Sequence, residues 1–193
     1  MYRSLGEESV QTAEIALGPG AILEWVPEPT IPFRGARFRQ SIHVQLAPGA
    51  TVLLWDAIAS GRIARGERWA FARLDNEIVI TTADGRSVTE RYRLAPAEHG
   101  VGWAKPWDYV ASLFVIGDAV ASERWTQIRE QVARHFSQTG PAVLGGVSEP
   151  AAPGLAIKLV ARSASDLSGT LEVLWTTIRS VLWNLPAPAL RRY

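Results

Sequence analysis

Arg62 and Glu67 stand five residues apart, and each follows a glycine, Gly61 and Gly66. A guanidinium can fork onto a carboxylate across a tight turn, and glycine admits positive φ or close backbone approach there. Two readings follow: a turn shaped for a transport route or partner surface, or a salt bridge that locks a bulged strand connection. Other groups with chemical capacity are sparse. The chain has no cysteine, one methionine and three histidines, His43, His99 and His135, no two of them four residues apart. Disulfides, thiolate nucleophiles, Cys-type zinc sites and a strong soft-metal site are therefore excluded. There is no Gly-x-Ser-x-Gly elbow, no Gly-x-x-x-x-Gly-Lys-Ser/Thr phosphate loop and no His-Glu-x-x-His pair. Nothing in the sequence favours catalysis.

At 193 residues the chain is long enough for one domain with a sizeable core, and its 47% apolar and 20% charged content is that of a folded protein. A net charge of +1 supplies no field that would draw it to nucleic acid or an anionic membrane. No apolar run approaches the roughly 20 residues of a membrane helix, and the polar opening does not read as a signal peptide. A cytoplasmic setting is expected. Eight tryptophans point to a large partner-facing surface, since Trp anchors interfaces.

The elements that must position these residues are mostly strands. In residues 36–46, Phe38, Ile42, Val44 and Leu46 share one face, while Arg37, Arg39, Ser41, His43 and Gln45 share the other. Residues 50–58 form a more uniformly apolar strand after the Pro48-Gly49 turn. Further strands are expected at 12–17, 21–26, 67–73, 77–82, 87–94, 143–147 and 155–160, with Asn76 and Asp84-Gly85 as turns. Short strands at close spacing predict a meander or stacked sheets, not a parallel α/β sheet. No repeat of solenoid length is visible. Two helices follow. Ser122 caps the first, with Trp125, Ile128, Val132 and Phe136 at helical spacing; Ser165 and Asp166 open the second. Leu167, Leu171, Leu174, Trp175, Ile178 and Leu182 form its stripe, and Pro186 stops it. His43 lies among arginines on a polar strand face, His99 in a loop, and His135 near a helix end.

Residues 55–69 carry a resemblance. An apolar strand there leads into Gly61-Arg62, three residues, and Gly66-Glu67, a pattern similar to the signature of the urease accessory protein UreD family. Tyr2-Arg3-Ser4, Leu23-Glu24-Trp25-Val26-Pro27 with Thr30-Ile31-Pro32-Phe33, and the strand at 154–162 before a long helix resemble family segments in the same order. The resemblance implies a single UreD-like domain over 1–193, a β-rich helicoid with two C-terminal helices, and no enzymatic turnover. Relative to the family the sequence begins after several N-terminal strands, and it carries Glu28-Pro29 where a Gln-Glu pair is common. The implied role is a scaffold that, with UreF and the GTPase UreG, helps load nickel into apo-urease. No tightly bound cofactor is implied; nickel would pass in transit, with Glu24, Asp56 and Glu67 as candidate carboxylates along its path. Trp103, Trp107 and Trp183 are the candidate partner contacts, while Trp125 and Trp175 read as core. The alternative is a divergent binding module on the same fold that no longer handles nickel.

Overall fold

The computed structural model describes residues 7–100, 102–104 and 106–189, so the Tyr2-Arg3-Ser4 segment lies outside the described residues. Among the described residues, nine strands and three α-helices run in the order β1 (Ser9–Leu17), β2 (Ile22–Trp25), β3 (Arg37–Leu46), β4 (Thr51–Ala59), β5 (Arg73–Thr81), β6 (Ser87–Leu94), α1 (Pro96–His99), β7 (Tyr109–Gly117), α2 (Ser122–Gln138), β8 (Val143–Ser148), β9 (Gly154–Ala161) and α3 (Ala164–Trp183). The outer sheet has the order β1-β3-β5-β6 and the central sheet β2-β4-β7-β9-β8. The mostly β reading with two helices near the C-terminal end therefore describes the molecule.

The chain winds. Successive strands alternate between the two sheets from β1 to β5, and β1 with β3, β3 with β5, and β2 with β4 pair in parallel. Only the later pairings are antiparallel. This is the expected pair of stacked sheets and not a parallel α/β sheet: a chain that changes sheet at each turn returns to the first sheet in the same direction, which makes the early pairs parallel. Ser9 pairs with Phe38 and Ile22 with Thr51, so the first turn takes 29 residues. Arg37 pairs with Arg73, an offset of 36, so the second turn is seven residues longer. The extra length falls between β4 and β5, where Gly61, Arg62, Gly66 and Glu67 lie. The winding repeat lives in the backbone and left no periodicity in the side chains.

Burial follows position in this stack. Strand β4 is buried at all nine positions because it has the outer sheet on one face and helices on the other. Leu53, Trp55 and Ala57 meet α2 and α3, while Val52 and Leu54 meet the outer sheet. Strand β7 is covered in the same way, and its run YVASLFVIG lacks the alternation that marks a half-buried strand, so it is absent from the strands expected above. Two expectations are corrected. Residues 67–72 form an irregular connection, with Trp69 at φ 52°, not a strand. Asn76 sits inside β5, 3% exposed, not in a turn. Asp84-Gly85 does turn the β5–β6 hairpin, with Gly85 at φ 84°.

The helices begin one or two residues from their expected caps. Ala121 occupies the cap of α2 without a side-chain bond, and Ser122 is already helical. For α3 the cap is Ser163, whose Oγ accepts the Asp166 amide at 3.1 Å. Asn184, in the left-handed region, ends α3 two residues ahead of Pro186.

Candidate functional site

The even-numbered residues of β4 face the outer sheet, so Asp56 enters the layer between the sheets. Three neutral donors converge on it: Gln40 Nε2 from β3 at 2.9 Å, Asn76 Nδ2 from β5 at 3.1 Å and the Tyr92 hydroxyl from β6 at 3.1 Å. Gln40 Nε2 also donates to Asn76 Oδ1 at 3.0 Å, which ties the amides together. No cationic group among the described residues pairs with Asp56. Burial raises its pKa above the ordinary 3.8, the hydrogen bonds from Gln40 and Tyr92 pull it back, and the charge of Glu90 pushes the same way as burial. Burial, followed by the Asp56 charge, raises the Tyr92 phenol well above its usual value. This polar belt separates two apolar clusters, one around Ile42, Val44, Leu54 and Ile80, the other around Phe38, Ile58 and Phe71.

Glu90 shares the layer and is not among the candidate residues named from the sequence. Its Oε1 accepts the Ser112 hydroxyl at 2.6 Å, and its Oε2 lies 2.9 Å from Lys158 Nζ. The signal was parity. Val88, Glu90, Tyr92 and Leu94 alternate with exposed neighbours in β6, as Gln40 does with Phe38 and Ile42 in β3.

Glu67 is held in another manner. Arg62 forks onto it, Nε to Oε2 at 2.8 Å and Nη2 to Oε1 at 2.6 Å, and the Arg34 amide donates to Oε2 at 3.3 Å. The hydrogen bond from Arg62 holds the Glu67 carboxyl down at about 2. Gly61 adopts φ 141°, and a Cβ there would lie 2.6 Å from the Glu67 carbonyl oxygen; Gly66 adopts φ 73°. Arg62 also covers the Phe33 ring at 4.2 Å. The segments 30–33 and 61–67, far apart in the chain, thus form one structure.

Comparison with known proteins identifies the family. The model of the family described as UreD urease accessory protein matches residues 1–193. The chain belongs to the UreD family. It is 34% identical over 199 residues to urease accessory protein UreD 2 of Streptomyces griseus, covering all of this chain and 66% of that protein. It is 39% identical over 166 residues to the UreD of an Anaeromyxobacter species, covering 84% of this chain and 55% of the relative. For the UreD of Haloarcula marismortui the identity is 30% over 182 residues, covering 93% and 60%. The chain spans between 55% and 66% of the length of these relatives. All are named as accessory proteins, not as enzymes.

The third candidate carboxylate of this UreD-family chain is apart from the other two. Glu24 pairs in register with Leu53, so it points to the helix side of the central sheet, opposite Asp56. It is paired with Arg179 of α3 and accepts the Trp175 indole N–H at 3.1 Å. Glu24, Asp56 and Glu67 therefore form no common centre, and among the described residues no group of three or more His, Asp or Glu side chains is arranged to hold a metal ion. No helix among the described residues is long and apolar enough to cross a membrane.

The tryptophans divide. Trp55 and Trp175 meet edge to face at 5.9 Å within the core, and Trp125 is buried with them. Trp183 packs on that core half-buried, with Arg179 5.9 Å from its ring. Trp107 is half-buried under Arg162 beside a recess that Arg68 and Asp108 also line. The Trp103 side chain lies outside what the structure describes. His43 meets Glu14 at 3.0 Å and Glu77 at 3.2 Å, so the polar face of β3 is cross-linked within the outer sheet.

Proposed function

We propose that this UreD-family chain is the scaffold, without turnover of its own, in nickel insertion into apo-urease. It works in the cytoplasm as one UreD-like domain with a UreF-like protein and, through that protein, a UreG-like GTPase. The chain supplies no phosphate loop, so the GTP belongs to the partner. Nickel is cargo: it passes the protein and is not retained. Trp107 is the tryptophan best placed for a partner contact.

The observation that carries this reading is the state of Asp56. A carboxylate kept only for structure would be expected to hold an arginine, as Glu24 and Glu67 do. Asp56 instead keeps its charge capacity between sheets against neutral amides and a phenol. A divalent cation in transit would replace a proton or three separate hydrogen bonds there, not a bidentate ion pair. Oxygen donors of this kind bind nickel without the grip of thiolate or clustered imidazole, which suits passage. Glu90, whose charge Asp56 feels, extends the carboxylate character of the layer.

The test is co-expression with UreF-like and UreG-like proteins from the same source, followed by urease activation. The wild-type chain is expected to co-purify as a complex. Asp56→Asn is expected to assemble equally well and to lower activation about tenfold or more. Full activation by the variant overturns the nickel-path role. A folded chain that joins neither partner overturns the scaffold role and leaves the divergent binding module.

A further inference from the structure

The outer sheet ends at β6, but the central sheet continues through β9 and β8. On the face turned toward the outer sheet, Leu144 is 63% exposed and the Lys158 side chain 68% exposed. A cleft of about 400 Å³ opens there, walled by Ile58, Leu144 and Val160, with Glu90 and Ser112 at its floor. The Glu90 side chain is only 7% exposed. Its Oε2 is buried without a hydrogen bond, and among the described residues its close counter-charge is Lys158 at 2.9 Å, outside hydrogen-bonding geometry.

We propose that this cleft receives an arginine side chain from a protein partner, with Glu90 as the receiving carboxylate and Lys158 as an internal cation that holds the place until the partner arrives. Charge complementarity selects a cationic donor, since an anion would face Glu90 and an apolar group would bring no hydrogen bond to its buried Oε2. A bare divalent ion would find one carboxylate and one hydroxyl, too few donors. A guanidinium can donate to Oε2 while its stem lies along the apolar walls, and its planar fork makes directed bonds that the ammonium of Lys158 does not make here. Lys158 can yield its place, because its own side chain is 68% exposed and can turn into water once a guanidinium supplies the counter-charge to Glu90. A partner segment rather than a free small molecule fits the exposed apolar rim at Leu144, beside the β8 strand, which among the described residues pairs only with β9. The inference shares Glu90 with the layer around Asp56 but does not require that nickel pass there.

The experiment titrates the full chain, labelled with ¹⁵N, with N-acetyl-arginine methylamide and follows the amide resonances. Saturable shifts at Glu90, Ser112 and Gly146 are expected. Lys158→Met, a surface change that removes the competitor, is expected to tighten binding several-fold. Glu90→Gln keeps an acceptor for Ser112 and is expected to weaken binding about tenfold or more, which equals about 1.4 kcal/mol. The norleucine analogue is expected not to saturate, and a Leu-Arg-Leu tripeptide to bind more tightly than the single residue. Absence of saturable shifts in both the wild type and Lys158→Met overturns the proposal. So does saturation by norleucine at the same amides. A tripeptide no tighter than the single arginine overturns the assignment to a protein partner.

Discussion

Asp56 and Glu67 lie on one stretch of chain, Asp56 within strand β4 and Glu67 in the long connection that follows it. Both are largely buried carboxylates, at 7% and 9% exposure. Arg62 and the Arg34 backbone fix Glu67 in a turn that glycine alone allows, and the charge is spent on geometry. Asp56 is surrounded by neutral donors from three strands, so its charge is stabilised by dipoles and remains available to a cation. The same residue class thus serves as a lock in the connection and as a polar site in the sheet layer. What decides between them is whether the chain supplies an arginine.

The largest expected effect lies on the locked side. Gly61→Ala would place a Cβ 2.6 Å from the Glu67 carbonyl oxygen and 3.3 Å from that of Pro32, at a φ of 141°. Strain and clash together should cost more than about 3 kcal/mol, read as a fall in the urea midpoint or as insoluble protein. Gly66→Ala, at φ 73° with no atom within 4 Å of the added methyl, should cost about 1–2 kcal/mol. Equal losses at the two glycines would mean that the close approach at Gly61 does not matter.

Next comes the open side. Asp56→Ala removes the acceptor for Gln40, Asn76 and Tyr92 together and leaves buried donors without partners. A loss of about 2–4 kcal/mol is expected by urea unfolding. Asp56→Asn preserves the shape, and amide rotations can restore part of the network, so a change below about 1 kcal/mol is expected. If the asparagine variant were as damaged as the alanine one, the charge itself would be structural and the contrast with Glu67 would collapse.

How far the sequence displayed this contrast differs between the two sides. The lock was legible, because two glycines flanking an arginine and a glutamate form a local pattern that a tight turn requires. The polar layer was legible only at Asp56. Gln40 and Glu90 shared parity with apolar neighbours, but a single polar residue in an alternating strand draws little notice. Asn76 resembled a turn residue because asparagine favours turns, and tertiary burial overrode that preference. Strand β7 hid because both of its faces are covered. The helices α2 and α3 were plain from their spacing, although their caps shifted. Partner choice was beyond reach: Glu24 meets Arg179 across 155 residues, which only the folded stack brings together. The winding of β1 to β5 was equally hidden, since its 29-residue turn depends on backbone direction and not on a repeated motif.

The smallest expected effect is a difference in sign with pH. The folded Glu67 carboxyl titrates at about 2, against an ordinary 4.5. As pH falls the unfolded chain takes up this proton first, so the stabilisation is complete above about 4.5 and disappears toward 2. The advantage of the wild type over Glu67→Gln should therefore shrink as pH drops from 5 to 2.5. Asp56 runs the other way. Burial lifts its folded pKa above 3.8, so its contribution is fullest below that value and is lost as pH rises through the folded pKa. The wild type should lose ground to Asp56→Asn as pH climbs from 4 to 7. Urea midpoints for the three proteins from pH 2.5 to 7 measure both slopes. Slopes of the same sign would show that Asp56 has a cationic partner in solution, and the carboxylate would then be a second lock and not a site open to a cation.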